Sequence, residues 1–178
     1  MSEGLPTFKY HPEPVSTGAV ERSDTQCVCC NQARGFVYRG PVYSVEELDS
    51  QLCPWCVADG SAARRFNAEF VDAMTFDQSD LDPAIIEEVT RRTPSYVAWQ
   101  QEQWLTHCSD ACEYHGYPSP TELNAASSAT IKHWAETNDL TEDDWDNTVT
   151  AFANDAGAGF YKFVCRKCDL TLYASDWD

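Results

Sequence analysis

Cys27-Val28-Cys29-Cys30 and Cys53-Pro54-Trp55-Cys56 each contain a C-x2-C pair, and the rest of the chain is arranged around such pairs. Further along come Cys108-Ser109-Asp110-Ala111-Cys112, a C-x3-C, and Cys165-Arg166-Lys167-Cys168, another C-x2-C. Tetrahedral zinc takes four soft ligands, with sulfur at about 2.3 Å, and two cysteines separated by two or three residues can curl around one ion. Two such pairs close one site, so four pairs predict two Zn2+ ions per chain. Chain economy assigns Cys27, Cys30, Cys53 and Cys56 to the first and Cys108, Cys112, Cys165 and Cys168 to the second. His107 and His115 flank the third pair, and His115 could serve as a ligand, but with four cysteines available an all-cysteine set is favoured. Cys29 is left over and reads as a small apolar filler beside the metal.

Two competing readings of the cysteines are weaker. A disulfide framework suits a secreted chain with an even count, whereas nine Cys are present. The stretch Met1-Ser2-Glu3-Gly4-Leu5-Pro6 has neither the basic nor the apolar segment of a secretory signal, so the expected compartment is the cytoplasm. A thioredoxin-like role for Cys53-Pro54-Trp55-Cys56 would need a βαβ setting, which the surrounding pattern lacks.

The segments around the cysteines predict an α+β fold. Gly35–Tyr43 reads as two short strands around Gly40-Pro41, and a helix follows the Asp59-Gly60-Ser61 turn through residues 62–71. Knuckle, hairpin, knuckle and helix is the order of a treble-clef or ribbon-like zinc module. Thr7–His11 reads as a strand ended by Pro12 and Pro14. Asp82-Pro83 opens a helix that stops at Thr93-Pro94. A helix is expected from Ser95 through Trp99 and Trp104, another from a Thr121 cap through Trp134, and another from Thr141-Glu142-Asp143-Asp144 through Phe152. Asp155–Gly159 breaks the last of these before a hairpin of Phe160–Val164 and Leu170–Tyr173, with the fourth cysteine pair at its tip. About four helices therefore cover two zinc modules. The expected division is residues 1–80 and 81–178, or one compact unit.

Charge restricts the partners. Twelve Lys and Arg oppose 29 Asp and Glu for a net charge of −17, and neither half is basic. Such a field repels phosphate, which disfavours nucleic acid and anionic membranes. No apolar run reaches the ~18 residues of a membrane helix. Asp139, Glu142, Asp143, Asp144 and Asp146 lack the spacing and central glycine of a calcium loop and read as helix-start charge.

No nucleophile elbow, phosphate loop or H-E-x-x-H motif is present, and His11, His107, His115 and His133 form no recognisable constellation. Closed four-ligand sites are structural, so the favoured function is a non-enzymatic protein-binding or adaptor role with another protein as partner. The alternatives are an enzyme with a site near Trp99, Gln100 and Gln103 or Asp59, and a thiol or zinc redox sensor using Cys29 or labile metal.

Several longer runs carry a resemblance. Phe8-Lys9-Tyr10-His11-Pro12, Gly35–Tyr43, residues 53–62, Arg92-Thr93-Pro94-Ser95-Tyr96 and Trp99-Gln100-Gln101-Glu102-Gln103-Trp104-Leu105 together resemble the CbrC family of bacterial proteins. That resemblance implies a small intracellular bacterial protein with a link to colicin tolerance, and it supplies no catalytic residues.

Overall fold

The hairpin that matters most in the first half encloses the first cysteine pair instead of following it. β1 (Val20–Arg22) pairs antiparallel with β2 (Phe36–Tyr38), in the register Val20↔Tyr38 and Arg22↔Phe36, so residues 23–35 form the loop between them. The expected strand pair around Gly40-Pro41 does not form. Tyr43 instead makes an isolated bridge to Glu69, because a better partner for β2 lies upstream. The expected Thr7–His11 segment does not form a strand, and its Phe8, Tyr10 and His11 are nonetheless buried. His11 is a satisfied core residue, with Nδ1 donating to the Pro94 carbonyl at 2.7 Å and Nε2 2.7 Å from Thr17 Oγ1.

This computed structural model describes residues 4–77, 79–155 and 157–177, so Met1–Glu3 of the amino-terminal stretch and Ala156 of the 155–159 breaker lie outside the described residues. The chain divides into two compact units, Met1–Val97 and Ala98–Asp178. It is a mixed α+β fold with six α-helices and small antiparallel sheets among the described residues. None of the helices is long and apolar enough to cross a membrane.

In the first unit α1 (Pro54–Ala58) starts at Cys53, whose extended backbone and following proline set the helix entry. α2 (Ser61–Phe66) is shorter than the sequence suggests, ending where Asn67 turns left-handed at φ 44°. A 3-10 turn, Ala73–Phe76, leads to α3 (Pro83–Arg92), which has its predicted cap: the Asp82 carboxylate accepts from Ala84 N–H. The core gathers Tyr38, Leu52, Trp55, Val57 and Phe70 around Cys27, Cys53 and Cys56. The cysteines are core residues, not surface decoration.

The second unit is built on β6 (Ala158–Val164) and β7 (Thr171–Trp177), paired along their full length, with β5 (Glu113–Tyr114) on the far edge of β6. One sheet face carries Phe160 and Tyr173, packed with Leu123, Trp134, Trp145 and Val149 from α4 (Pro120–Asn124), α5 (Ser128–Thr137) and α6 (Asp144–Ala153). The Trp134 and Trp145 rings meet edge to face at 5.2 Å, and Trp134 Nε1 donates to Ser175 Oγ at 2.9 Å. The other face carries Phe163, against Trp104 and Tyr114. The helix expected from the Thr121 cap is two helices, capped by Ser119 and Ser127. Ser119 and Glu122 form a capping box, and Lys162, 2.6 Å away, followed by Ser119, holds the Glu122 carboxyl down at about 2.

No helix forms from Ser95 to Trp104. β3 (Thr106–His107) and β4 (Asp110–Ala111) follow an irregular segment whose backbone is claimed from a distance. Asp176 Oδ2 accepts from Trp99 N, Gln100 N and the Tyr161 hydroxyl, at 2.9, 3.0 and 2.8 Å. Its Oδ1 has no hydrogen-bond partner among the described residues and lies over Gly159, where an added Cβ would clash with it. Three hydrogen bonds hold the carboxylate, so it cannot swing clear. Gly159→Ala should therefore destabilise the second unit by about 1–3 kcal/mol, measured by denaturant titration. An unchanged midpoint would mean the strand gives way freely.

Candidate metal centres

The loop joining β1 and β2 makes a knuckle at Cys27–Cys30. Cys27 N–H donates to the Gln32 carbonyl at 3.0 Å, Asn31 N–H donates back to the Cys27 carbonyl at 2.7 Å, and Asn31 is left-handed at φ 56°. The loop joining β6 and β7 repeats this design. Cys165 N–H donates to the Leu170 carbonyl at 2.9 Å, Asp169 N–H donates to the Cys165 carbonyl at 3.0 Å, and Asp169 has φ 58°. Apart from the two cysteines, the six-residue runs 27–32 and 165–170 share no residue, yet they close the same turn. Among residues other than glycine, Asn and Asp tolerate the left-handed position best.

In the first unit Cys27, Cys30, Cys53 and Cys56 have sulfurs all within 4.8 Å of one another. Cys27 and Cys56 sulfurs are 3.8 Å apart, as are those of Cys30 and Cys53. A tetrahedron with metal–sulfur bonds of about 2.3 Å has edges of about 3.8 Å. Cys27, Cys53 and Cys56 are buried, and Cys30 is half-buried. The Cys53 thiol beside it, and after that the backbone N–H groups of Cys53, Cys30 and Cys29, hold Cys27 down at about 4. The same contact, joined by burial, pushes Cys53 far up, and burial raises Cys56. Four sulfurs packed this closely are a donor set for a soft cation. Cys29 stands apart, its sulfur 3.6 Å from Ser61 Oγ.

In the second unit the four mutually close donors are His107, Cys108, Cys165 and Cys168. His107 Nδ1 is 3.2 Å from Cys108 Sγ and 3.4 Å from Cys168 Sγ, and the Cys108 and Cys168 sulfurs are 3.8 Å apart. Burial opposes ionisation of Cys165, but the N–H groups of Lys167 and Cys168 together with His107 outweigh it and bring the thiol down to about 6. Backbone N–H groups thus favour a thiolate on the first cysteine of both knuckles.

Cys112, expected as the fourth ligand, lies outside this group. Cys108 and Ser109, with φ 51° and 54°, form the two-residue turn between β3 and β4, in which His107 faces Asp110. Left-handed backbone at both positions is the type I′ signature, and it costs about 1–2 kcal/mol per residue for side chains other than Gly, Asn or Asp. The turn puts Cys108 at the tip while Cys112 runs back down the returning chain, paired through its N–H to the Leu105 carbonyl at 2.9 Å. Cys112 is completely buried, its carbonyl accepting from Trp104 Nε1 at 3.0 Å, and burial raises its thiol. His115, the alternative histidine, lies 3.3 Å from the Glu113 carboxylate instead. The signal for His107 was its adjacency to Cys108, which matters only once the turn is known. His133 supports the site from outside, its ring 5.8 Å from that of His107, with burial and then His107 itself lowering its pKa.

The two centres differ in exposure. Cys108 and Cys168 are exposed, Cys165 is buried and His107 is half-buried. Lys167 Nζ donates to the Cys108 and Ser109 carbonyls at 2.8 and 3.3 Å, tying the knuckle to the β3–β4 turn. Arg166 reaches Glu113 at 3.0 Å and Asp110 at 3.4 Å. Trp99, Gln100 and Gln103, weighed above as an enzyme site, lie on the segment held by Asp176, and Trp99 is 54% exposed.

The chain is 39% identical to a UPF0167 protein of Pseudomonas aeruginosa over 99% of both chains. It is also 39% identical to UPF0167 proteins of Mycobacterium bovis and Mycobacterium tuberculosis, over 97% of this chain and 94% of theirs. No solved structure matches it. The likeness runs along the whole chain and not only through the motif runs quoted above, and the name attached to it is UPF0167, not CbrC. The CbrC assignment is thereby corrected, and the colicin tolerance it implied falls with it. With the family model matching residues 5–177, the chain belongs to UPF0167, an uncharacterised protein family.

Proposed function

We propose that the protein is a zinc-stapled, non-enzymatic binding protein, in which each compact unit holds its own metal ion and presents a rigid surface to another protein. The first ion is held by Cys27, Cys30, Cys53 and Cys56, the second by His107, Cys108, Cys165 and Cys168. The observation that carries this reading is the repeated knuckle, two dissimilar sequences closing the same turn with a second pair of donors at tetrahedral spacing. Sulfur and imidazole donors at four-coordinate spacing suit zinc, and four protein donors leave no open position for a substrate or an activated water. Thiols kept reduced for metal support an intracellular setting.

Metal content per chain tests this directly. Elemental analysis and native mass spectrometry of protein purified without chelator should give two zinc ions. Fewer than two, or iron in their place, would overturn the reading.

A further inference from the structure

We propose that Cys108 and Cys168 form a reversible oxidation site, at which a peroxide converts the pair to a disulfide and releases the second metal ion while the first stays bound. This rests on the reading that the second group of four holds an ion. Both sulfurs are exposed and 3.8 Å apart, on the tips of two different hairpins. Three of the four sulfurs of the first centre are buried at 1–3% exposure. Thiol oxidation follows thiolate character and access. Metal coordination supplies thiolate character at both centres, so access is what separates them.

The chemistry balances with the peroxide as the only oxidant. One thiolate attacks the O–O bond: a sulfur–oxygen bond forms, the O–O bond breaks, and the departing hydroxide takes a proton to become water. The second thiolate attacks that sulfur, forming the S–S bond and breaking the sulfur–oxygen bond, and the hydroxide expelled takes a proton from solvent to become a second water. The two electrons come from the two sulfurs. The ion keeps only Cys165 and His107 as protein donors. A dithiol returns both electrons by exchange and restores the site.

The sheet and its aromatic core do not depend on that ion for their pairing, since β6 and β7 pair along seven residues each and α4, α5 and α6 pack on one face. Oxidation therefore frees the β3–β4 turn from the knuckle at 165–168 without dismantling the second unit. What changes is the surface around His107.

The test treats the zinc-loaded full-length protein with increasing hydrogen peroxide. A chromogenic zinc indicator reads release, and peptide mapping after differential alkylation reads the thiols. The expected result is one equivalent of zinc released, a Cys108–Cys168 disulfide, and full recovery on adding dithiothreitol and zinc. In parallel, iodoacetamide on untreated protein should modify Cys108 and Cys168 at least tenfold faster than Cys27, Cys53 or Cys56. Two equivalents released together, no release at excess peroxide, or first oxidation within the Cys27–Cys56 set would each overturn the inference. Native mass spectrometry of the untreated sample separates the two failures. Fewer than two ions there sinks the underlying proposal, whereas two ions that peroxide does not distinguish sink only this one.

Discussion

Cys56→Ser protein is expected to carry one metal ion instead of two and to lose the cooperative fold of its first unit. Serine nearly matches cysteine in volume, so the substitution tests ligation more than packing. The size of the effect follows from how little else holds this unit. Its strands are three residues long, its first two helices five and six, and three of its core side chains are the cysteines themselves. A structural zinc contributes about 10–16 kcal/mol of apparent binding energy to a small module. A domain's whole stability is about 5–15 kcal/mol. Losing most of the first term leaves nothing to balance chain entropy. Hydrogen exchange should show residues 4–77 and 79–97 unprotected while the 158–177 hairpin keeps its protection. Cys29→Ser is the control: it should keep both ions and change stability by less than about 1 kcal/mol, because Cys29 is only partly buried at the edge of the core and its sulfur lies outside the group of four. Two ions in the Cys56→Ser protein would remove that residue from the ligand set.

Where sequence reasoning succeeded, the deciding interactions were local. The C-x2-C spacing pointed to knuckles because such a turn is closed within six residues. Asp82-Pro83 and Thr93-Pro94 marked α3 because caps and prolines act on their immediate neighbours. The α+β class, the 160–173 hairpin and the knuckle at its tip follow from short-range patterning of the same kind. Where it failed, a distant partner decided. Residues 95–104 have aromatic spacing that suits a helix, but Asp176 takes the N–H groups of Trp99 and Gln100 from 77 and 76 residues away. β2 found β1 upstream instead of the segment after Gly40-Pro41, and strand partners are chosen by pairing across sequence, which one chain's pattern does not reveal.

His107→Ala should remove the second ion, and Cys112→Ala should leave it in place. Linear spacing treats 108 and 112 as one pair, while the structure puts Cys108 in the two-residue turn and Cys112 beyond the returning strand, and the two substitutions separate these alternatives. With a metal–nitrogen bond of about 2.0 Å and a metal–sulfur bond of about 2.3 Å, the nitrogen–sulfur edge of a tetrahedron is about 3.5 Å. The His107 ring nitrogen stands 3.2 and 3.4 Å from two sulfurs, close to that edge and easily opened by an ion between them. Cys112 offers only a buried thiol, so Cys112→Ala costs about 1–2 kcal/mol for the small cavity it leaves. The two proteins should therefore differ in opposite senses. His107→Ala loses one zinc by native mass spectrometry yet keeps hairpin protection, since Trp134, Trp145, Phe160 and Tyr173 still pack together. Cys112→Ala keeps two zinc ions and unfolds at a slightly lower denaturant concentration. The reverse pattern would return the second centre to four cysteines and make His107 an outer neighbour. It would also bear on why Cys108 sits at φ 51°: if the second centre holds an ion through Cys108, ligation would offset the cost of a left-handed cysteine.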